Sequence, residues 1–165
     1  MEAPKAISTK PLAYQSLVED RKKCTLCAGL GMTNPYNIEG GKYQSEDVLE
    51  IVKVRPDQAY VRVHLLFFNG HQCSVYGIAK VEGDELVYRT RRYNDQMCVL
   101  TLRRNGNRVV FGDKDSACHD EFCGMRGIFE GQGFPLSSRR PIRYMKRLLK
   151  SREYAEAIAE RSKEK

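Results

Sequence analysis

Apolar and polar residues alternate in short runs from Asp47 to Phe134, and most runs end on residues that favour turns. Val61, Val63, Leu65 and Phe67 share one face of a run over Tyr60–Phe68, and Val75, Ala79 and Val81 share one face of Cys73–Glu82. Leu86–Tyr93, Met97–Arg103 and Arg108–Gly112 follow, and Asp47–Val54 precedes them. Asn69-Gly70, Gly83-Asp84, Asn94-Asp95 and Asn105-Gly106-Asn107 separate these runs, and Asn-Gly suits the positive φ of a tight hairpin. The pattern predicts six antiparallel strands in a meander. Gly124–Phe134 is a seventh candidate, weakened by Gly127, Gly131 and Gly133.

The two ends differ from this middle. Residues 1–11 read as a flexible arm, Leu12–Lys23 as weakly helical, and Cys24–Gly41, with its glycines and Asn34-Pro35, as a loop region. After Pro141 the apolar period lengthens, and Tyr144, Leu148, Ala155, Ile158 and Ala159 fall on one stripe, with Met145 and Leu149 beside it. This predicts a C-terminal amphipathic helix over 142–160, with Pro141 near its start. The expected fold is α+β, mainly β: six or seven antiparallel strands in a small barrel or curled sheet, with the helix over an open edge or end. Residues 12–165 form one domain around a β core at 47–134.

Composition narrows the class. With 165 residues and 41% hydrophobic content the chain can bury a core, and no apolar run approaches the ~20 residues of a membrane-spanning helix. The formal charge is +7, and it sits at one end: from Pro135 to Lys165 there are ten Lys or Arg against four Glu. Arg139, Arg140, Arg143, Lys146, Arg147, Lys150 and Arg152 crowd the head of the expected helix, where cations oppose the macrodipole. Such a run is either a solvated face or a site for an anionic partner: lipid headgroups, an acidic protein or nucleic acid. Nucleic acid is disfavoured, because no recognition module accompanies the charge. Peripheral contact with a membrane is compatible with it.

Catalytic patterns are thin. His64, His71 and His119 accompany no nucleophile elbow, zinc-protease helix or phosphate-cradling loop, so the expectation is a non-enzymatic protein without a cofactor. The cysteines admit three chemistries. Six of them, Cys24, Cys27, Cys73, Cys98, Cys118 and Cys123, suit a disulfide framework in an oxidising space, with local pairs 24–27 and 118–123 and a 73–98 cross-link as one of fifteen pairings. Alternatively Cys24, Cys27, Cys118, His119 and Cys123 offer zinc ligands in a cytosolic interaction module. The remaining reading is redox chemistry at Cys24-Thr25-Leu26-Cys27, although the glycines that follow make a poor helix to lower a thiol pKa. The disulfide reading places the chain in the periplasm or outside the cell, with its signal peptide removed.

Asn69-Gly70-His71-Gln72-Cys73 with Gly77-Ile78-Ala79, and Cys118-His119-Asp120-Glu121-Phe122-Cys123-Gly124-Met125-Arg126-Gly127 with Phe129 and Gly131, carry a resemblance. Over roughly residues 47–134 the chain resembles small, uncharacterised exported proteins of Gram-negative bacteria with a C-x4-C-G-x-R-G element. The resemblance implies a periplasmic, disulfide-stabilised β domain, distantly similar in plan to the small barrels of periplasmic lysozyme inhibitors. Those inhibitors' loop motifs are absent here, and a +7 chain would be repelled by a basic lysozyme. The function expected is a binding or inhibitor-like module whose basic element, Arg139 to Arg152, faces an anionic envelope component or an acidic protein.

Overall fold

The computed structural model describes residues 29–36, 45–67, 70–91 and 97–163, with side chains over 47–67, 70–90 and 97–163. The fold is α+β and mainly β. Strands β1 (Gly29–Tyr36), β2 (Ser45–Arg55), β3 (Gln58–Leu66), β4 (Gln72–Glu82), β5 (Glu85–Arg91), β6 (Met97–Asn105) and β7 (Arg108–Asp113) pair antiparallel in chain order. The predicted meander is therefore present over β2–β7. The arm at 1–11, the weak helix at 12–23 and the Cys24/Cys27 pair lie outside the described residues.

Three elements differ from expectation. The region read as a loop contains β1, which pairs with β2 along its whole length, from Gly29 opposite Val52 to Tyr36 opposite Ser45. Its glycines and Pro35 mask the strand in sequence, and Pro35 is tolerated because the other side of β1 is paired only at Leu30 and Gly31. The seventh strand shrinks to β8 (Gly133–Pro135), because the glycine-rich stretch before it forms turns. Pro141 lies in a strand, β9 (Arg140–Pro141), rather than at a helix start. β8 pairs with β7, β9 pairs with β1, and only the 3-10 turn Leu136–Ser138 and Arg139 separate them. One segment of the chain thus spans both ends of the curled sheet and makes it barrel-like, which reduces the exposed edge.

The alternation that marked the strands sorts their side chains. Leu49, Ile51, Val61, Val63, Val75, Leu86, Leu100, Leu102 and Phe111 point into the core, with Phe129, Phe134 and Leu136 added by the segments that follow β7. A second, smaller cluster lies on the outer face: Val52 and Tyr60 with Ile142, Leu148 and Ala157. Here the single helix expected over 142–160 is two, α2 (Met145–Leu148) and α3 (Arg152–Lys163). Ser151 restarts the helix, its hydroxyl accepting from the Tyr154 amide at 3.2 Å, as an N-cap residue does. The restart also rotates the buried face. Ala157 is buried with Tyr154 and Ile158 partly so, while Ala155 and Ala159 are exposed. Helix α3 covers the outer face of the sheet at β4 rather than an edge or end, and Tyr154 meets Tyr60 edge to face at 5.1 Å.

The sheet opens at one place. β4 and β5 pair only over Ala79–Glu82 and Glu85–Tyr88. The Tyr88 ring lies across Gly77, where a Cβ would stand 2.2 Å from a ring carbon. Helix α1 (His119–Phe122) lodges at this opening: Phe122 packs edge-on against Tyr88, and the Gly124 amide donates to the Gln72 carbonyl at 2.8 Å. The buried Asp113 carboxylate accepts from the amides of Cys118 (2.9 Å) and His119 (3.0 Å), which holds the start of α1.

Candidate functional site

Two disulfides fasten the α1 segment, Cys73–Cys123 to β4 and Cys98–Cys118 to β6. The local 118–123 bridge and the 73–98 cross-link considered from sequence do not form. Cys118 and Cys123 lie at opposite ends of α1, so each reaches a different strand, and the segment is stapled across β5. Zinc at these sulfurs is excluded by the same bonds, because bridged cysteines are not thiolate ligands. Among the described residues no group of three or more His, Cys, Asp or Glu could hold a metal ion. His119 instead pairs through Nδ1 with Asp120 Oδ1 at 2.9 Å. Burial pushes the His64 imidazole pKa down, with the Arg62 charge acting in the same direction and Asp47 opposing it. The two disulfides point to an oxidising, non-cytosolic environment. No described helix is long and apolar enough to cross a membrane.

The basic residues follow the segment that spans the sheet ends. Arg139 is half-buried and its Nε donates to the Leu136 carbonyl at 3.2 Å, while Arg140 lies in β9 opposite Gly31. Arg143, Lys146, Arg147 and Lys150 are exposed along a strap, 142–150, that includes α2. None of these four forms an ion pair among the described residues. Arg147 lies over the Tyr144 ring, 5.3 Å from its centroid. No Asp or Glu occurs between Pro135 and Arg152, so the strap carries no charge compensation of its own. The break before α3 also explains why the cations are tolerated. Of the cations named above only Arg152 lies in α3, as its first residue, where Glu153 occupies the same turn and Glu156 stands 3.4 Å from the Arg152 Nε.

The strap is pinned from beneath. Ile142 and Leu148 are buried beneath it, and between them Tyr144 donates its hydroxyl to Glu50 Oε1. Glu50 is 1% exposed on β2. The β2–β3 register sets it opposite Arg62, whose Nε and Nη2 reach Oε2 at 2.7 Å and Oε1 at 2.8 Å. This fork satisfies a carboxylate that would otherwise be costly to bury. The Glu50 hydrogen bond raises the Arg62 pKa further. Burial, then the bond to Glu50, pushes the Tyr144 phenol up to about 12. Among the described residues the neighbouring Tyr60 hydroxyl is buried without a hydrogen-bond partner, and burial beside Glu50 raises its pKa as well. The signal available in sequence was a lone Glu50 and a lone Arg62 on outward positions of two adjacent apolar strands.

Exposed cations also lie on the β6–β7 hairpin. Arg108 stands opposite Pro135, and the Leu136 amide donates to the Asn107 carbonyl at 2.8 Å, so the β6–β7 hairpin abuts the start of the basic segment. Arg104 and Arg108 are exposed on that hairpin, where Arg104 Nε donates to the Gly106 carbonyl at 2.9 Å and Arg108 Nη2 to the Gly133 carbonyl at 3.0 Å. A cavity of about 770 Å³ lies elsewhere, over Ile78, Val87 and Met97 beside the end of α3. Its rim mixes Lys80, Arg89 and Lys163 with Glu82 and Glu160, so it lacks the single sign of the strap. Comparisons with family models, curated proteins and solved structures found no match to this chain.

Proposed function

We propose that this protein is a non-enzymatic binding module of the periplasm, which holds an anionic partner through the basic strap. The observation that carries this reading is the exposure of Arg143, Lys146, Arg147 and Lys150 without ion pairs among the described residues, on a segment pinned by the buried Glu50. Unpaired cations on a fixed support give a preorganised field and avoid the ordering cost of a flexible tail. The disulfide-braced sheet supplies that support, and the C-x4-C-G-x-R-G likeness to exported proteins favours the periplasm over other oxidising spaces. Bridged sulfurs at Cys118 and Cys123 weigh against the zinc-stabilised alternative, which needs both as thiolates.

The test is retention of the full chain on a phosphate-bearing matrix across a salt series. A variant neutral at Arg143, Lys146, Arg147 and Lys150 is compared with one neutral at the exposed cations Lys53, Arg55, Arg89 and Lys114. Both lose four charges, so a site-specific interaction weakens only in the first. Equal weakening in both would mean that net charge alone is responsible, and the strap would have no special role.

A further inference from the structure

We infer that helix α3 is a lid, which lifts off the sheet as a unit at Ser151 while the sheet and the strap stay folded. Among the described residues three buried side-chain polar atoms lack a hydrogen-bond partner: Gln58 Oε1, the Tyr60 hydroxyl and Arg161 Nη1. All three belong to one contact. Tyr154 meets Tyr60 edge to face, and Arg161 follows it by seven residues and Ala157 by four, on the helix stripe that faces the sheet. Glu160 and Lys163 line the cavity together with Lys80, which the β3–β4 register sets opposite Gln58. The helix therefore runs over the outward face of β3 and β4 from the row of Tyr60 to the row of Gln58. Its docking takes water away from polar groups at both ends of that path.

The attractions that oppose this cost are few. Ala157 is the buried residue of α3, with Tyr154 and Ile158 partly covered. The Tyr76 hydroxyl donates to Glu156 and ties the helix to β4, but this bond is exposed and water competes for it. A buried polar group left unsatisfied costs at least as much as a hydrogen bond of that kind returns. Lifting α3 returns water to the stranded atoms, so the docked and lifted states lie close in free energy. The hinge is built in: Ser151 caps α3 separately from α2, and Leu149 and Lys150 before it are exposed. The strap on the other side of Ser151 is held by Glu50, Ile142 and Leu148 and does not follow. Lifting also uncovers Tyr60 and Ile78, and Ile78 already belongs to the cavity floor with Val87 and Met97. The cavity thereby lengthens into an apolar groove across β3, β4 and β5.

The experiment is hydrogen exchange of the full, disulfide-intact chain across a series of low urea concentrations. A helix of twelve residues is marginal on its own, so its amides exchange once it lifts. The amides of Ala157 to Arg161 should exchange about a hundredfold faster than those of β3 and β4. Their rate should hardly change with urea, because lifting one helix exposes little surface. Tyr60→Phe removes a dry hydroxyl and should slow α3 exchange about tenfold, and Arg161→Met about threefold. Tyr76→Phe cuts the tie to Glu156 and should speed it about threefold. Exchange of α3 with the rate and urea dependence of β3 and β4 would overturn the lid, since helix and sheet would then open together. A Tyr60→Phe variant more stable overall but unchanged in α3 exchange would overturn it too, because the hydroxyl would stay dry when the helix lifts. Ala157→Asp should hold the lid up, so that the chain binds a hydrophobic dye and keeps the cooperative urea transition of its sheet. Loss of that transition would make α3 part of the sheet's own folding unit and overturn the proposal.

Discussion

The α1 segment and the basic strap are both short, irregular pieces of chain fastened to the outside of one sheet, yet they are fastened by different chemistry. Two disulfides tie α1 to β4 and β6. The strap is held by apolar contacts and by a single buried carboxylate shared between Arg62 and Tyr144. The first attachment depends on redox conditions and hardly on salt or pH. The second depends on charge and leaves the strap's outer surface free. The covalent fastening sits where the sheet opens between β4 and β5, and the polar one sits where the outward-facing cations are.

The largest expected effect separates the two attachments directly. Replacing Cys73 and Cys123 by Ser opens a loop whose ends are 50 residues apart, and Cys98 with Cys118 one of 20. The chain-entropy relation gives about 4 and about 3 kcal/mol for these. Urea unfolding should record losses of that order, and hydrogen exchange should report loosening around α1 while the strap stays protected. Equal loosening of both segments would merge them into one cooperative unit.

Breaking the strap's anchor comes next. Glu50→Ala leaves Arg62 and the Tyr144 hydroxyl without their acceptor, which should cost about 3 kcal/mol, at the low end for a buried pair because Arg62 keeps 36% exposure. The double variant Glu50→Ala with Arg62→Met should recover much of it, since no unpaired guanidinium remains. A double variant no more stable than the single one would show that Glu50 acts through packing alone.

Gly127→Ala probes how closely the α1 side is packed. A Cβ there would stand 2.7 Å from Cys73 Sγ and 3.0 Å from Cys123 Cβ, and neither atom belongs to a flexible side chain. The expected loss is about 1–3 kcal/mol in urea unfolding, smaller once Cys73 and Cys123 are replaced by Ser, because the smaller oxygens are then free to move apart. An undiminished loss in that background would place the cause outside the bridge.

How much was legible in sequence follows the same division. Strands β2–β7 were readable because a half-buried sheet writes its two faces into alternate residues, as with Val61, Val63 and Leu65. The closure by β8 and β9 was not, since a strand of three residues and another of two carry no period. β1 was hidden by its glycines and Pro35, which break the alternation of a strand. The cations of the strap were plain from their number, but Glu50 and Arg62 looked like ordinary outward residues of a sheet. Only the strap lying over them turns that pair into a buried anchor, and a long-range contact of that kind has no local signature.

Tyr144→Phe should have the smallest effect and gives the finest distinction between the two attachments. It removes one hydroxyl and keeps the ring that Arg147 covers. A loss of about 1 kcal/mol is expected, reduced from a fully buried charged hydrogen bond because the side chain is 39% exposed. The pH dependence gives the cleaner signal. In the folded protein the Tyr144 phenol titrates near 12, and in the unfolded chain at about 10. Its contribution is therefore complete below about pH 10 and is lost as the pH rises through 12, because the unfolded state gives up its proton first. Tyr60 and Tyr88 are raised too, so the wild type should lose stability steeply across this range and the variant less steeply. The disulfides, which do not titrate, should contribute equally throughout. If the two proteins lose stability in parallel, the Tyr144 hydroxyl is not bound to Glu50 in solution, and the strap is held by Ile142 and Leu148 alone.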